Sequence, residues 1–156
     1  MDETDQAKDN YKRALEIQLK KLGPEHVHVA STYNSLGNSL SKLGETDRAK
    51  DYYERALDIE LKKLRPEHVD LGAEHVNVAT CYFSLGNLHH TLGETDQAKD
   101  YHKHALEITL KKLGPEHVDV AHSYHKLGSI YNGLGEFEEA KHCLDRASVI
   151  YIAKYG

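Results

Sequence analysis

No stretch of this 156-residue chain approaches the roughly 18 consecutive apolar residues of a membrane span, and no signal-peptide pattern opens it. Lysine and arginine total 20 against 25 acidic residues, a formal net charge of −5, so the clustered basic surface that nucleic acid requires is missing. Only two cysteines occur, Cys81 and Cys143, in unlike positions, which argues against a disulfide framework and for a reducing compartment. Glycine-rich phosphate loops, nucleophile elbows and metalloprotease helices are also missing. Carboxylates are plentiful but lie along helical surfaces. His142 adjoins Cys143, yet residues one apart on a helix do not face each other. These gaps leave a soluble, cytoplasmic protein, with no enzymatic activity, no cofactor, and neither nucleic acid nor membrane as partner. With 39% hydrophobic and 29% charged residues, the chain has enough for one continuous core.

What is present is repetition. From Glu25 the chain reads EHVHVASTYNSLGNSLSKLGETDRAKDYYERALDIELKKL; from Glu74, EHVNVATCYFSLGNLHHTLGETDQAKDYHKHALEITLKKL; from Glu116, EHVDVAHSYHKLGSIYNGLGEFEEAKHCLDRASVIYIAKY. Residues 3–22 repeat only the second half. Gly44 and Gly93 are 49 residues apart, while Gly93 and Gly135 are 42 apart, as are Thr4 and Thr46. The period is therefore 42, with seven extra residues at one junction. A unit of this size cannot bury its apolar face alone and must stack on its neighbours.

Each unit divides into two helices. Val29, Tyr33, Leu36, Leu40 and Leu43 follow one another at spacings of four and three, a helical stripe. Gly44 stops it, and Thr46 or Asp47 caps the next helix. That second helix is expected to bury Ala49, Tyr53, Ala56, Leu57, Leu61 and Leu64. Gly114-Pro115 and Gly23-Pro24 close second helices. The pattern predicts seven helices: an orphan second helix over 3–22, then pairs over about 25–64, 74–113 and 116–155. Gly37, Gly86 and Gly128 recur in mid-helix, where glycine costs about 0.8–1 kcal/mol against alanine. Their recurrence marks a point where a neighbouring helix comes too close for a Cβ, with Ala49, Ala98 and Ala140 as small residues on the partner helices.

An aromatic at Tyr33, then Leu36-Gly37, Gly44, Ala49, Tyr53 and Ala56 resembles the tetratricopeptide-repeat signature. The 42-residue period is similar to the long-helix branch found in kinesin light chains. The resemblance covers essentially the whole chain. It implies an all-α fold, a right-handed α-solenoid of antiparallel helix pairs, with first helices lining a concave groove and second helices forming the back. It also implies that residues one and five after the signature aromatic point into the groove. Those are Asn34 and Asn38, Phe83 and Asn87, and His125 and Ser129, with Ser41, His90 and Asn132 one turn further on. The implied function is a protein–protein interaction scaffold that binds a peptide or helical segment of a partner there. Asparagine amides suit peptide backbone, since each both donates and accepts. Only Lys126 offers a positive charge, so a carboxylate clamp is not expected.

The partition of charge agrees with this division. First helices carry few charges (Lys42, Asp119, Lys126), while Asp47, Arg48, Lys50, Asp51, Glu54, Arg55, Asp58, Glu60, Lys62 and Lys63 crowd one second helix. An uncharged groove and a solvated convex face are expected. Twelve histidines raise the question of metal. His26, His68, His75 and His117 belong to the repeated EHV phrase, and no short paired Cys/His spacing of a zinc site occurs, so none is expected.

Near-identical copies and the unpaired leading helix favour an alternative, a structural spacer or self-assembling unit. The junction 64–77, LRPEHVDLGAEHVN, is a duplicated heptad that splits the Gly-Pro stop between Pro66 and Gly72. A bulged loop is the expected outcome, with a short turn opened by Pro66 and ended by Gly72. The competing outcome is a continuous kinked helix that exchanges halves with another copy. The unpaired stripe of the leading helix predicts either a homo-oligomer through the terminal helices or excision from a longer array, and excision is the expectation.

Overall fold

A computed structural model describes residues 3–64 and 72–156, with backbone alone for Gly72, Ala73 and Glu74. Among these residues there are seven helices and no strand: α1 (Glu3–Leu22), α2 (Val27–Lys42), α3 (Thr46–Lys63), α4 (Gly72–Thr91), α5 (Thr95–Leu113), α6 (Val118–Leu134) and α7 (Phe137–Tyr155). Sequential helices pack as antiparallel neighbours, so the pairs α2–α3, α4–α5 and α6–α7 stack in file behind α1. The expectation of an all-α solenoid of antiparallel helix pairs is met.

The turns show why the chain reverses where it does. Gly44, Gly93 and Gly135 all have φ of +77° or +78°, the left-handed region that a Cβ disfavours. The amide of the next residue then reaches back to a carbonyl five residues earlier: Glu45 to Leu40, Glu94 to His89 and Glu136 to Tyr131, each at 2.9 Å. That bond closes a Schellman stop three times over. The residue before each second helix is this glutamate, and its side chain makes no cap bond. Neither Thr46 nor Asp47 caps, contrary to expectation, because the backbone stop already sets the entry angle. The EHV phrase, in contrast, has a local role. The Nδ1 atoms of His26 and His117 accept from the amides of His28 and Asp119 at 3.2 Å, so these histidines are N-caps.

First helices sit between two second helices. Val29, Ala30 and Tyr33 of α2 meet Ala56 and Ile59 of α3 on one side and Leu15 and Leu19 of α1 on the other. Val120 and Ala121 of α6 lie likewise between Ala147 and Ile150 of α7 and Leu106 and Leu110 of α5. Leu61, expected in the core, is 43% exposed. Helix α4 begins at Gly72. The choice between loop and continuous helix at the 64–77 junction falls on residues outside the described ones.

The mid-helix glycines are close-approach sites. A Cβ built on Gly37 would lie 2.5 Å from the Tyr53 ring, one on Gly86 2.7 Å from His102, and one on Gly128 2.7 Å from Leu144. The neighbour is the large side chain of the paired helix, so the knob that seats on each glycine is a ring or a leucine rather than an alanine.

Candidate partner-binding groove

Three cavities open along the faces of α2, α4 and α6. The first, about 260 Å³, lies between α2 and α4 near their N-terminal ends, where Ser31, Asn34, Asn77 and Cys81 surround Glu60 of α3. A second, about 250 Å³, lies further along the same two helices and is walled by Asn38, Ser41, Lys42, Ser84, Asn87 and Thr91 over Tyr53. The third, about 180 Å³, is lined by Thr80 and Phe83 of α4, Thr109 of α5, and Asp119, His122 and Ser123 of α6. Thr80 is shared by the first and third, which makes them neighbours across α4.

The residues singled out from sequence are therefore distributed as follows. Asn38, Ser41 and Asn87 converge on one cavity, with Asn34 in the one beside it and Phe83 in the third. His90, His125, Ser129 and Asn132 are exposed and line none of these cavities. Asn38 is tied down at one end: the Tyr53 hydroxyl donates to its Oδ1 at 2.7 Å, leaving the NH₂ group to donate outward. Burial pushes that hydroxyl up to about 12, so it remains a donor at any ordinary pH. Asn34 Oδ1 is buried without a hydrogen-bond partner. An unmet buried acceptor costs on the order of 1–3 kcal/mol, part of which a bound donor recovers.

Sequence reasoning missed Glu60. Charge periodicity places it on the convex back, yet it is 2% exposed and forms a wall of the first cavity. The groove is consequently not free of charge, with Lys42 and Asp119 also on cavity walls. The signal was available in register. Gln18 stands at the equivalent place in α1 and accepts from Thr32 Oγ1 of α2 at 2.7 Å. A polar residue here points between successive first helices rather than outward. Cys81, at the place of Thr32, has its thiol pushed up to about 12, first by burial and then by the Glu60 charge, which excludes a reactive thiolate.

His102 occupies the place of Tyr53 in the next unit. It is fully buried, meets Phe83 edge-on at 5.0 Å between ring centroids, and has a hydrogen-bond partner at neither nitrogen. Burial, with smaller contributions from Lys126 and His90, lowers its pKa to about 4. It is thus a neutral packing ring beneath the Phe83 wall. Among the described residues no group of three or more His, Cys, Asp or Glu is arranged to hold a metal ion, and no helix is long and apolar enough to cross a membrane.

Comparison with known proteins matches this geometry. The family model described as "Tetratricopeptide repeat" matches residues 1–61, 68–111 and 96–153. No curated protein matches the chain. Among solved structures, BtubC (BKLC) from P. vanneervenii is 29% identical with a TM-score of 0.80, over 98% of this chain and 58% of that one. This chain thus spans little more than half of that relative's length. The nearly identical TPR-like repeats of a putative kinesin light chain from Podosopora anserina are 24% identical, with a TM-score of 0.62, over 97% of this chain and 69% of that one. RapI in its apo form, 22% identical with a TM-score of 0.78, is covered over 40% of its length by 99% of this chain. At these identities the last two show the fold alone.

Proposed function

The chain belongs to the tetratricopeptide-repeat family, and from that premise we propose that it is a protein-interaction scaffold holding a peptide or helical segment of a partner against α2, α4 and α6. The observation that carries this reading is the convergence of Asn38, Ser41 and Asn87 on one open cavity. Two amides and a hydroxyl, spaced along the groove, match the alternating donors and acceptors of a peptide backbone. Asn34 and Phe83 extend the surface to either side, and His90, His125, Ser129 and Asn132 complete its exposed rim. Phe83, half-buried over His102, is the aromatic anchor whose burial supplies affinity.

The test begins with a partner captured by the chain from lysate and identified. Asn87→Ala is the clean variant, because no side-chain hydrogen bond within the described chain depends on that amide. Loss of one or two backbone hydrogen bonds should weaken binding by on the order of tenfold. Asn38→Ala should weaken it comparably but also cost about 1 kcal/mol of stability, since the Tyr53 hydroxyl loses its acceptor. Unchanged binding in both variants, together with abolished binding in Glu54→Lys or Arg55→Glu on the convex back, places the working surface elsewhere.

A further inference from the structure

Two of the three cavities are the same cavity in successive repeats. A shift of 49 residues carries Ala30, Ser31, Asn34 and Glu60 onto Ala79, Thr80, Phe83 and Thr109. A shift of 42 carries Asn77, Thr80 and Cys81 onto Asp119, His122 and Ser123. The first set walls the cavity between α2 and α4, and the second walls the cavity between α4 and α6. Both lie inside the array, between helices that each pack on at least two others. Equivalent in position, they differ in chemistry: where the later cavity has Phe83 and Thr109, the earlier one has Asn34 and Glu60.

Thr109 is engaged with its own helix, its hydroxyl donating to the carbonyls of Ala105 and Leu106 at 2.9 and 3.0 Å. Glu60 is a carboxylate at that place, almost wholly removed from bulk solvent yet forming part of the cavity wall. It is the one Asp, Glu, Lys or Arg among the described residues that line the cavity. In α1 the equivalent Gln18 is neutral and receives the Thr32 hydroxyl. At the junction of Glu60 that hydroxyl is replaced by the Cys81 thiol, a weak donor. The Glu60 charge acts on that thiol, adding to burial in pushing it up. On the same wall, Asn34 Oδ1 is buried with no hydrogen-bond partner. Two acceptor groups, one of them ionised, thus front a space of about 260 Å³. That is many times the roughly 10–15 Å³ that one water requires.

We propose that the cavity between α2 and α4 is a cation socket, seating the charged end of a lysine or arginine side chain of the groove-bound segment. The socket rests on the groove reading above and adds to it what the partner must carry. A carboxylate held out of water is compensated best by a hydrogen-bonded opposite charge. A lysine ammonium brings three donors and an arginine guanidinium five. Either can serve the Glu60 carboxylate and Asn34 Oδ1 together, whatever else the carboxylate contacts. An acidic residue is refused there, because it meets like charge. The two cavities share Thr80, so one segment reaches both, its basic residue at Glu60 and an apolar residue against Phe83.

The probe is a set of phage-displayed peptides of random sequence, selected on the full chain, remade with a fluorescent label and titrated by anisotropy. Peptides that Asn87→Ala weakens mark the groove, and among them a lysine or arginine close to an apolar residue should recur. Glu60→Gln keeps the shape and removes the charge, and should weaken these peptides at least about tenfold. Exchanging the peptide's basic residue for norleucine should cost as much on the parent chain and little more on the variant. Circular dichroism reads whether the variant is folded. Glu60→Thr, which installs what the next repeat carries at Thr109, repeats the test if the glutamine variant is not. Groove peptides that lack a basic residue overturn the socket and leave the groove reading standing. So does a norleucine exchange without loss, or affinity unchanged in Glu60→Gln and Glu60→Thr. If Asn87→Ala weakens none of the selected peptides, the groove reading falls and the socket falls with it.

Discussion

Replacing Gly86 with alanine exchanges one hydrogen for a methyl group in the middle of a helix, a change that helix propensity alone rewards by about 0.8–1 kcal/mol. The packing forbids that gain. The new Cβ would sit 2.7 Å from Nε2, 2.8 Å from Cδ2 and 2.9 Å from Cε1 of His102, against an ordinary contact of 3.4–4 Å. His102 is fully buried with its edge on Phe83, so the ring can retreat only by moving that neighbour or parting α4 from α5. Overpacking of this kind costs about 1–3 kcal/mol, leaving a net loss of roughly 1 kcal/mol. Gly133 is the internal control. It is also helical, in α6, but nothing lies within 4 Å of its built Cβ. Gly133→Ala should therefore raise stability by roughly the full propensity gain. Urea unfolding followed by circular dichroism at pH 7 reads both, and a Gly86→Ala/His102→Ala cycle should show favourable coupling, because removing the ring makes room for the methyl. If both alanines stabilise equally, the close-approach account of the recurring glycines is wrong.

Acid should expose His102. Its folded pKa is depressed to about 4 from 6.5, so its contribution is fully present above pH 6.5 and is lost as pH falls toward 4. At pH 5 the loss is about 2 kcal/mol relative to pH 7, and a His102→Leu variant should lose that much less over the same range in urea titrations. Tyr53→Phe removes the hydroxyl that donates to Asn38 and should lower the unfolding free energy by about 0.5–1.5 kcal/mol, with the m-value unchanged. Chelator should leave the melting temperature unmoved, whereas a structural metal would make it fall steeply.

The fold was legible because the repeat states it three times and each copy turns between its two helices on a glycine with positive φ. Mid-helix glycines were legible for a related reason: a penalised residue kept in register through every copy points to sterics. Helix entry was read less well. Thr46 and Asp47 look like caps by residue type, but the Glu45-to-Leu40 backbone bond had already fixed the turn. His26 and His117 look like products of duplication alone, while imidazole Nδ1 serves there as the capping acceptor. In the candidate groove, family register brought Asn38, Ser41 and Asn87 to one cavity. Glu60 escaped because a charged residue among nine others on one helix reads as solvent-facing. Only its register with Gln18, which bonds across to Thr32, marks the direction it points. Which helix ends lie against a neighbour is a property of stacking that a single copy does not encode.

The most direct test of the central claim is amide hydrogen exchange on the chain with and without its captured partner. Saturating partner should slow exchange along α2, α4 and α6, most strongly in the segments holding Asn34, Asn38, Phe83 and Asn87, and leave the outward turns of α3 and α5 unchanged. Protection confined to α3 and α5, with the first helices exchanging as in the free chain, contradicts a groove-binding scaffold.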